Sequence, residues 1–275
     1  MIKFSATLAM QYDSIFSPFS ALEFDAGLEW LTESGIPCVE VCISNYNDVD
    51  VNMIKDKLDK LGLACSTIST GQAYAIEGLS LTDKSPDVRK ATQKRVNEHV
   101  RAAMILSSHV TIGLLRGGRD SKQSRCQIEL LSETLIPCAE FARDNGVTLL
   151  LEPINRYETS LLNSAKETVA FIDALGISES VGILWDTFHA NIEDEHIGKT
   201  IDLIASKLKH VHFADSNRHF PGFGHLNFEF IYKCLCEIGF SGCISFECMN
   251  IPSAEYVKMN AAVFSERLQT IKSES

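Results

Sequence analysis

The sequence predicts an α/β fold, a single-domain (β/α)8 TIM barrel spanning residues 1–275. Three observations carry this. Eight short strand-like runs alternate with longer helical patterns. The length suits one large barrel or two average domains, and no Pro/Ser-rich linker or shift in composition divides the chain. The last four runs each end on or near a residue type that binds metals, as expected of a fold that builds its site at the carboxyl ends of its strands.

In order, the strand-like runs are Ile2–Ala9, Pro37–Ile43, Leu63–Ser69, His109–Leu115, Val147–Pro153, Val181–Asp186, Lys209–Ala214 and Cys243–Cys248. They are rich in apolar and β-branched residues, which suit a sheet covered on both faces. Helical patterns fill the intervals at Ser20–Ser34, Val51–Leu61, Pro86–Ser107, Ser121–Asn145, Ala165–Leu175, Gly198–Leu208 and Phe228–Ile238, and an eighth follows at Ser253–Lys272. Gly35, Gly62, Gly146, Gly176 and Gly239 each fall just past a helical pattern, where a left-handed cap residue is wanted. The competing architecture, an open doubly wound sheet, normally carries a Gly-rich phosphate turn after its first strand. Met10–Ser20 contains no glycine.

Composition narrows the function. A formal net charge of −11 argues against a nucleic-acid partner, whose binding rests on Lys and Arg. No run approaches the roughly 18 apolar residues of a membrane span. The N-terminal MIKFSATLAM lacks the basic-then-apolar order of a secretory signal. There are nine cysteines, an odd number, and several lie inside strand-like runs (Cys38, Cys42, Cys65, Cys243, Cys248). They read as reduced, buried thiols of a cytoplasmic protein. The expected partner is a small molecule, with no nucleic acid and no membrane, and a homo-oligomer is allowed for.

The candidate metal ligands are Glu152, Asp186, His212 and Glu247. Their spacings of about 25–35 residues match one strand–helix unit of a barrel of about 250 residues. Three carboxylates and an imidazole suit a divalent cation such as Mn²⁺, Co²⁺ or Mg²⁺. The bland alternative is that acidic residues at strand ends cap the following helices, which explains one such residue better than four. Strand alternation supports a polar lumen: His210, His212 and Ala214 share one face of their run, and Cys243, Ser245 and Glu247 one face of theirs. His210, one layer below, is expected to be a core histidine rather than a ligand.

The segments around these residues read LEPINRYET (Leu151–Thr159), LWDTFHANIE (Leu184–Glu193), HVHFADSNRHFPGFG (His210–Gly224) and SFEC (Ser245–Cys248). They resemble the xylose isomerase-like barrel superfamily and, within it, the ketose 3-epimerases typified by D-tagatose and D-psicose 3-epimerase. STGQAYAIEGLSLT (Ser69–Thr82) and IGLLRGGR (Ile112–Arg119) look narrower still, like the 5-keto-L-gluconate epimerase branch. The resemblance implies one divalent metal per chain on Glu152, Asp186, His212 and Glu247. It implies that Glu152 and Glu247 form the acid/base pair on opposite faces of the substrate. It also implies that Glu158 hydrogen-bonds substrate, and that His189 and Arg218 contact oxygens near the reacting carbon.

The chemistry follows from these groups. A C–H beside a ketone is weakly acidic, and chelation of the ketone and a neighbouring hydroxyl oxygen stabilises the cis-enediolate formed when it ionises. One Glu removes the C3 proton and the other returns a proton to the opposite face. The second must start protonated, and two carboxylates sharing a site titrate apart. Arg116 and Arg119 flank a Gly-containing loop at the catalytic end, and their planar donor forks suit a carboxylate. They favour a keto sugar acid of the 5-keto-L-gluconate or D-tagaturonate type over a neutral ketose, with a sugar phosphate as a further option. Asp215 is expected to orient the metal histidine, and Asn155 and Arg156 to pin the loop after the fifth strand.

Four rivals are weighed. A nuclease like endonuclease IV needs extra histidines at the early strand ends, where Ser69, Thr70, Leu115 and Arg116 stand. A keto-acid or inosose dehydratase would not be expected to combine the R-Y-E and D-S-N-R elements. An aldose–ketose sugar or sugar-phosphate isomerase would use the same site and reprotonate another carbon. A non-catalytic sugar sensor would be expected to lose one of the paired glutamates.

Overall fold

The structure, a computed structural model, describes residues 2–118 and 124–271. Eight parallel strands close into a barrel in chain order: β1 (Lys3–Ala9), β2 (Cys38–Cys42), β3 (Ala64–Ser69), β4 (His109–Ile112), β5 (Leu149–Leu151), β6 (Val181–Asp186), β7 (Leu208–Phe213) and β8 (Cys243–Phe246). Closure is made by β1, which pairs with both β2 and β8. The expected barrel is the observed one. Its strands are shorter than the apolar runs, because ladder pairing stops before the apolar sequence does. The last β4–β5 pair is Ile112 with Leu151, and the last β7–β8 pair is Phe213 with Phe246. Glu152 and Glu247 therefore stand one residue past their strands, and the Glu152 amide still donates to the Ile112 carbonyl at 3.3 Å.

The outer helices are α1 (Phe24–Glu33), α2 (Val51–Leu61), α4 (Pro86–Leu106), α5 (Ser124–Asp144), α6 (Ala165–Leu175), α8 (Ile197–Ile204), α9 (Phe228–Glu237) and α10 (Ala254–Ile271). Their ends follow local chemistry. Asp50 accepts hydrogen bonds from the Asn52 and Met53 amides to start α2, and Gly62 at φ +68° ends it in the left-handed region that a Cβ disfavours. The other four predicted cap glycines adopt the same hand. The pattern Gly198–Leu208 is helical only to Ile204. The Lys207 carbonyl accepts from the Ile183 amide at 2.8 Å, which draws the chain into the barrel ladder.

Two short helices were not expected from periodicity, α3 (Gly71–Ala75) and α7 (Thr187–Glu193). Both lie in loops at the carboxyl ends of strands, and both border the site.

Alternation places Phe4, Val39, Val41, Ile68, Val110, Ile183, Trp185, Val211, Phe213, Ile244 and Phe246 beneath the helices, all buried. The lumen is polar: the Ser5 and Ser66 hydroxyls meet at 3.0 Å, and those of Thr67 and Thr111 at 2.9 Å. Outside β8, Phe246 stacks between Phe4 and Phe220 with ring centroids at 5.9 and 5.5 Å. Burying each such ring is worth roughly 1.5–3 kcal/mol. Phe220 belongs to the loop after β7, so this stack fastens that loop, and Arg218 with it, over the barrel mouth. Among the described residues no helix is long and apolar enough to cross a membrane.

Candidate active site

Glu152, Asp186, His212 and Glu247 converge at the mouth of the barrel, with one potential ligand atom of each within 4.8 Å of every other. His212 Nδ1 lies 3.1 Å from Glu247 Oε2 and 3.7 Å from both Glu152 Oε1 and Asp186 Oδ2. Each side chain has a local cause for its place. Asp186 ends β6 and caps α7: its Oδ1 accepts from the Phe188 and His189 amides at 2.7 and 3.1 Å. The capping alternative is thus true of one Asp186 oxygen, while the other points into the cluster. Glu152 lies across Gly113, where a Cβ would come within 2.6 Å of Glu152 Oε2, so no larger residue fits there without moving the carboxylate.

The electrostatics call for a central cation. Burial alone would lower the His212 pKa, but Glu40, Glu247, Asp186 and Glu152 outweigh it and hold it well above the usual histidine value. Burial pushes the Glu247 carboxyl up to about 7, with Glu152 and Glu40 adding to the rise and His212 opposing it. Asp186 Oδ2 and His212 Nδ1 are both buried with no hydrogen-bond partner, and such orphans are rare in folded proteins. Three carboxylates and one imidazole nitrogen facing a common point fit a divalent cation of the Mg²⁺, Mn²⁺ or Co²⁺ kind.

Beside the cluster lies a cavity of about 390 Å³. Its lining includes the polar groups of Glu152, Glu158, His189, His212, Arg218 and Glu247, with Asp13, Ser14 and Gln72 beside the apolar Ile15, Phe16 and Ile76 on the far side. Glu158 accepts from Asn155 Nδ2 at 3.0 Å and from Arg218 Nη1 at 2.9 Å. Because the Asn155 nitrogen also faces His189 Nδ1 at 2.7 Å, that ring nitrogen is the acceptor and Nε2 carries the proton. The Nε2–H faces Glu152 Oε1 at 3.8 Å. Arg218 is gripped between the rings of Phe16 and Phe188, at 4.6 and 5.0 Å. Its backbone sits at φ +63°, held by its N–H on the Asp215 carbonyl at 2.7 Å and its carbonyl on the Met249 N–H at 2.8 Å. Arg156 grips Glu193 of α7 through two nitrogens, so Asn155 and Arg156 do pin the loop after β5.

Three expectations need correction or limit. Arg116 is not placed to bind a substrate carboxylate. It is fully buried, outside the cavity lining, and donates to the main-chain carbonyls of Glu152 and Leu162. The short helical turn Leu114–Arg116 after Gly113 turns it inward, so it braces the backbone behind Glu152. Burial lowers its pKa only to about 10, and it stays charged near neutrality. Arg119 lies outside the described residues. Asp215 does not orient His212: its oxygens accept the Ser216, Gly222 and Leu226 amides at 2.7, 2.7 and 3.1 Å, which shapes the loop after β7.

The carboxylate that holds His212 at its Nε2, behind the cluster, is Glu40, in the middle of β2. It accepts from His212 Nε2 at 3.0 Å and from His210 Nε2 at 3.1 Å. Sequence reasoning missed it, although a lone acidic residue inside CVEVC is a visible signal.

Residues 28–268 match the family model described as the xylose isomerase-like TIM barrel. The chain belongs to this family. Within the xylose isomerase-like family it is similar to an L-ribulose 3-epimerase of Mesorhizobium japonicum, 32% identical over 228 residues that cover 82% of this chain and 75% of that protein. It is also similar to a D-psicose 3-epimerase of Ruminiclostridium cellulolyticum, 28% identical over 228 residues, covering 80% and 76% of the two chains. A solved L-ribulose 3-epimerase structure superposes with a TM-score of 0.83 and 26% identity, over 100% of this chain and 97% of that one. The chain falls in the ketose 3-epimerase branch of the family, and these relatives are isomerase-class enzymes.

Two outcomes are expected from this geometry. Replacing Arg116 with Met strands the carbonyls of Glu152 and Leu162, and should lower unfolding stability by roughly 1–3 kcal/mol. Denaturant titration measures that loss, and the relative kcat/KM for acidic and neutral sugars should stay unchanged. Secondly, Mn²⁺ must displace the proton held by His212. Calorimetry in buffers of differing ionisation enthalpy should show proton release on Mn²⁺ binding and weaker binding as the pH falls. Binding that is independent of pH would contradict the cluster as the site.

Proposed function

We propose that this protein is a divalent-metal-dependent epimerase that inverts C3 of a ketose by proton transfer between Glu152 and Glu247. The observation that carries the reading is that these two carboxylates share one cluster, Glu152 buried and Glu247 partly exposed, at the edge of a sugar-sized cavity. A bound divalent cation would polarise the substrate ketone and lower the cost of negative charge on its oxygen. Glu152, Asp186, His212 and Glu247 would hold it.

The remaining steps belong to the side chains. Glu152 takes the proton from C3. Glu247 must start the turnover protonated, as one of two carboxylates that titrate apart in a shared site, and it delivers that proton to the opposite face. The His189 Nε2–H is fixed by Asn155 and directed at the cavity, where it can donate to an oxygen that gains charge. Arg218, held by Glu158 and two aromatic rings, adds a fixed positive charge that needs no reorganisation during the reaction.

The same lining bears on the substrate. Among the described residues Arg218 is the one Lys or Arg on the cavity, and it is already paired with Glu158. Ile15, Phe16, Ile76, Leu114 and Ile154 give the cavity much apolar surface. An uncharged ketose suits these features, and a keto sugar acid or a sugar phosphate would call on a further cation. Names of the relatives, L-ribulose and D-psicose 3-epimerase, point the same way.

With Mn²⁺ in D₂O, product from L-ribulose or D-psicose should carry deuterium at C3. Deuterium only at C1 would make the protein an aldose–ketose isomerase. Glu152→Gln and Glu247→Gln should each reduce kcat by at least about 100-fold, the lower end of what a positioned acid or base supplies. D-tagaturonate turned over in preference to both ketoses would overturn the uncharged-substrate reading and leave the epimerase reading standing.

A further inference from the structure

Glu40 lies in the lumen one layer below the cluster and is fully buried. Three donors reach its carboxylate. His210 Nε2 is 3.1 Å from Oε2, His212 Nε2 is 3.0 Å from Oε2 and 3.2 Å from Oε1, and the Ser69 hydroxyl donates to Oε1. A carboxylate can only accept, so each of these histidine nitrogens must carry its proton. For His212 this decides which nitrogen is left for a metal: with Nε2 protonated, the lone pair is on Nδ1. That atom faces Glu152, Asp186 and Glu247, and it is the one with no hydrogen-bond partner. The His210 and His212 rings are 5.3 Å apart and perpendicular, so the shared carboxylate also sets the plane of the His212 ring.

Glu40, His210 and His212 are themselves close enough to be considered a second metal site. Every polar contact of Glu40 is already a hydrogen bond, and His212 has one lone pair to give, so the arrangement is an orienting network.

We infer that Glu40 is a positioning residue that fixes the tautomer and ring plane of His212, presenting Nδ1 to a divalent cation. This rests on the reading that Glu152, Asp186, His212 and Glu247 bind such a cation. Gln at position 40 keeps size and one acceptor, but its NH₂ would confront one of the two histidine N–H groups. Glu40 acts on His212, whereas His210 only shares its carboxylate.

The test is Mn²⁺ binding to the full-length protein, followed by electron paramagnetic resonance of the free ion. The unmodified protein should bind one Mn²⁺ per chain. Glu40→Gln should raise Kd by about 10- to 100-fold, the range seen when a partner of a metal-bound histidine is lost. Glu40→Asp, which keeps the charge, should recover part of the loss and carries the test if the Gln variant does not fold. His210→Gln should leave Kd close to its original value. With Mg²⁺ bound, ¹⁵N spectra of labelled histidine should show His212 protonated at Nε2 in the unmodified protein and a changed pattern in Glu40→Gln. If folded Glu40→Gln is merely less heat-stable and binds Mn²⁺ normally, the positioning role is wrong while the metal reading stands. A second Mn²⁺ lost in His210→Gln would make the lower cluster a metal site and also overturn it. No Mn²⁺ bound by the unmodified protein would remove the metal reading and this inference together.

Discussion

The structure turns on one imidazole between carboxylates. His212 meets Glu40 on one side and Glu152, Asp186 and Glu247 on the other. Four acidic groups in so small and dry a volume repel one another, and each alone would be costly to bury in its charged form. They are tolerated together because something positive sits among them: the proton on His212 in the metal-free protein, or a cation in its place. This constraint links folding to function. The arrangement that makes the cluster expensive to bury is the one that suits it to a divalent ion.

The barrel meets the geometric side of that constraint. Closing eight strands brings residues far apart in sequence to a common rim, and strand alternation carries Glu152, two past Leu150, and Glu247, two past Ser245, onto the lumen side. Loops then complete the site, each tied down by a contact already described. Asn155 and Arg156 hold the loop after β5 against α7, and Asp215 gathers the amides of the loop after β7. The Phe4–Phe246–Phe220 stack seats that same loop on the outer wall. Phe16, from the loop after β1, reaches across to cover Arg218. The chemistry assigned to Glu152 and Glu247 thus depends on packing well outside the cavity.

Much of this is legible in the sequence, for reasons that can be named. Strand runs are readable because parallel strands covered on both faces are apolar along their length. The four ligands stand out because charge at the end of such a run needs a reason. Arg116 misleads because sequence spacing gives its position in the loop, while the direction of its side chain depends on a single helical turn after Gly113. Asp215 misleads similarly: adjacency to a candidate ligand does not mean contact with it, since its oxygens are taken by amides of a loop that folds back over it. Glu40 is obscured for the opposite reason. It lies in the second strand, far from the motif-bearing half of the chain, and only closure of the barrel brings it to His212.

The central claim is that one divalent cation occupies the upper cluster through His212 Nδ1. Anomalous diffraction from crystals grown with Mn²⁺ tests it directly. The account predicts one strong peak per chain, about 2.0–2.4 Å from His212 Nδ1 and from oxygens of Glu152, Asp186 and Glu247, with Glu40 still hydrogen-bonded to Nε2. A peak coordinated by Glu40 and His210 instead, or none at the barrel mouth at saturating Mn²⁺, would contradict it.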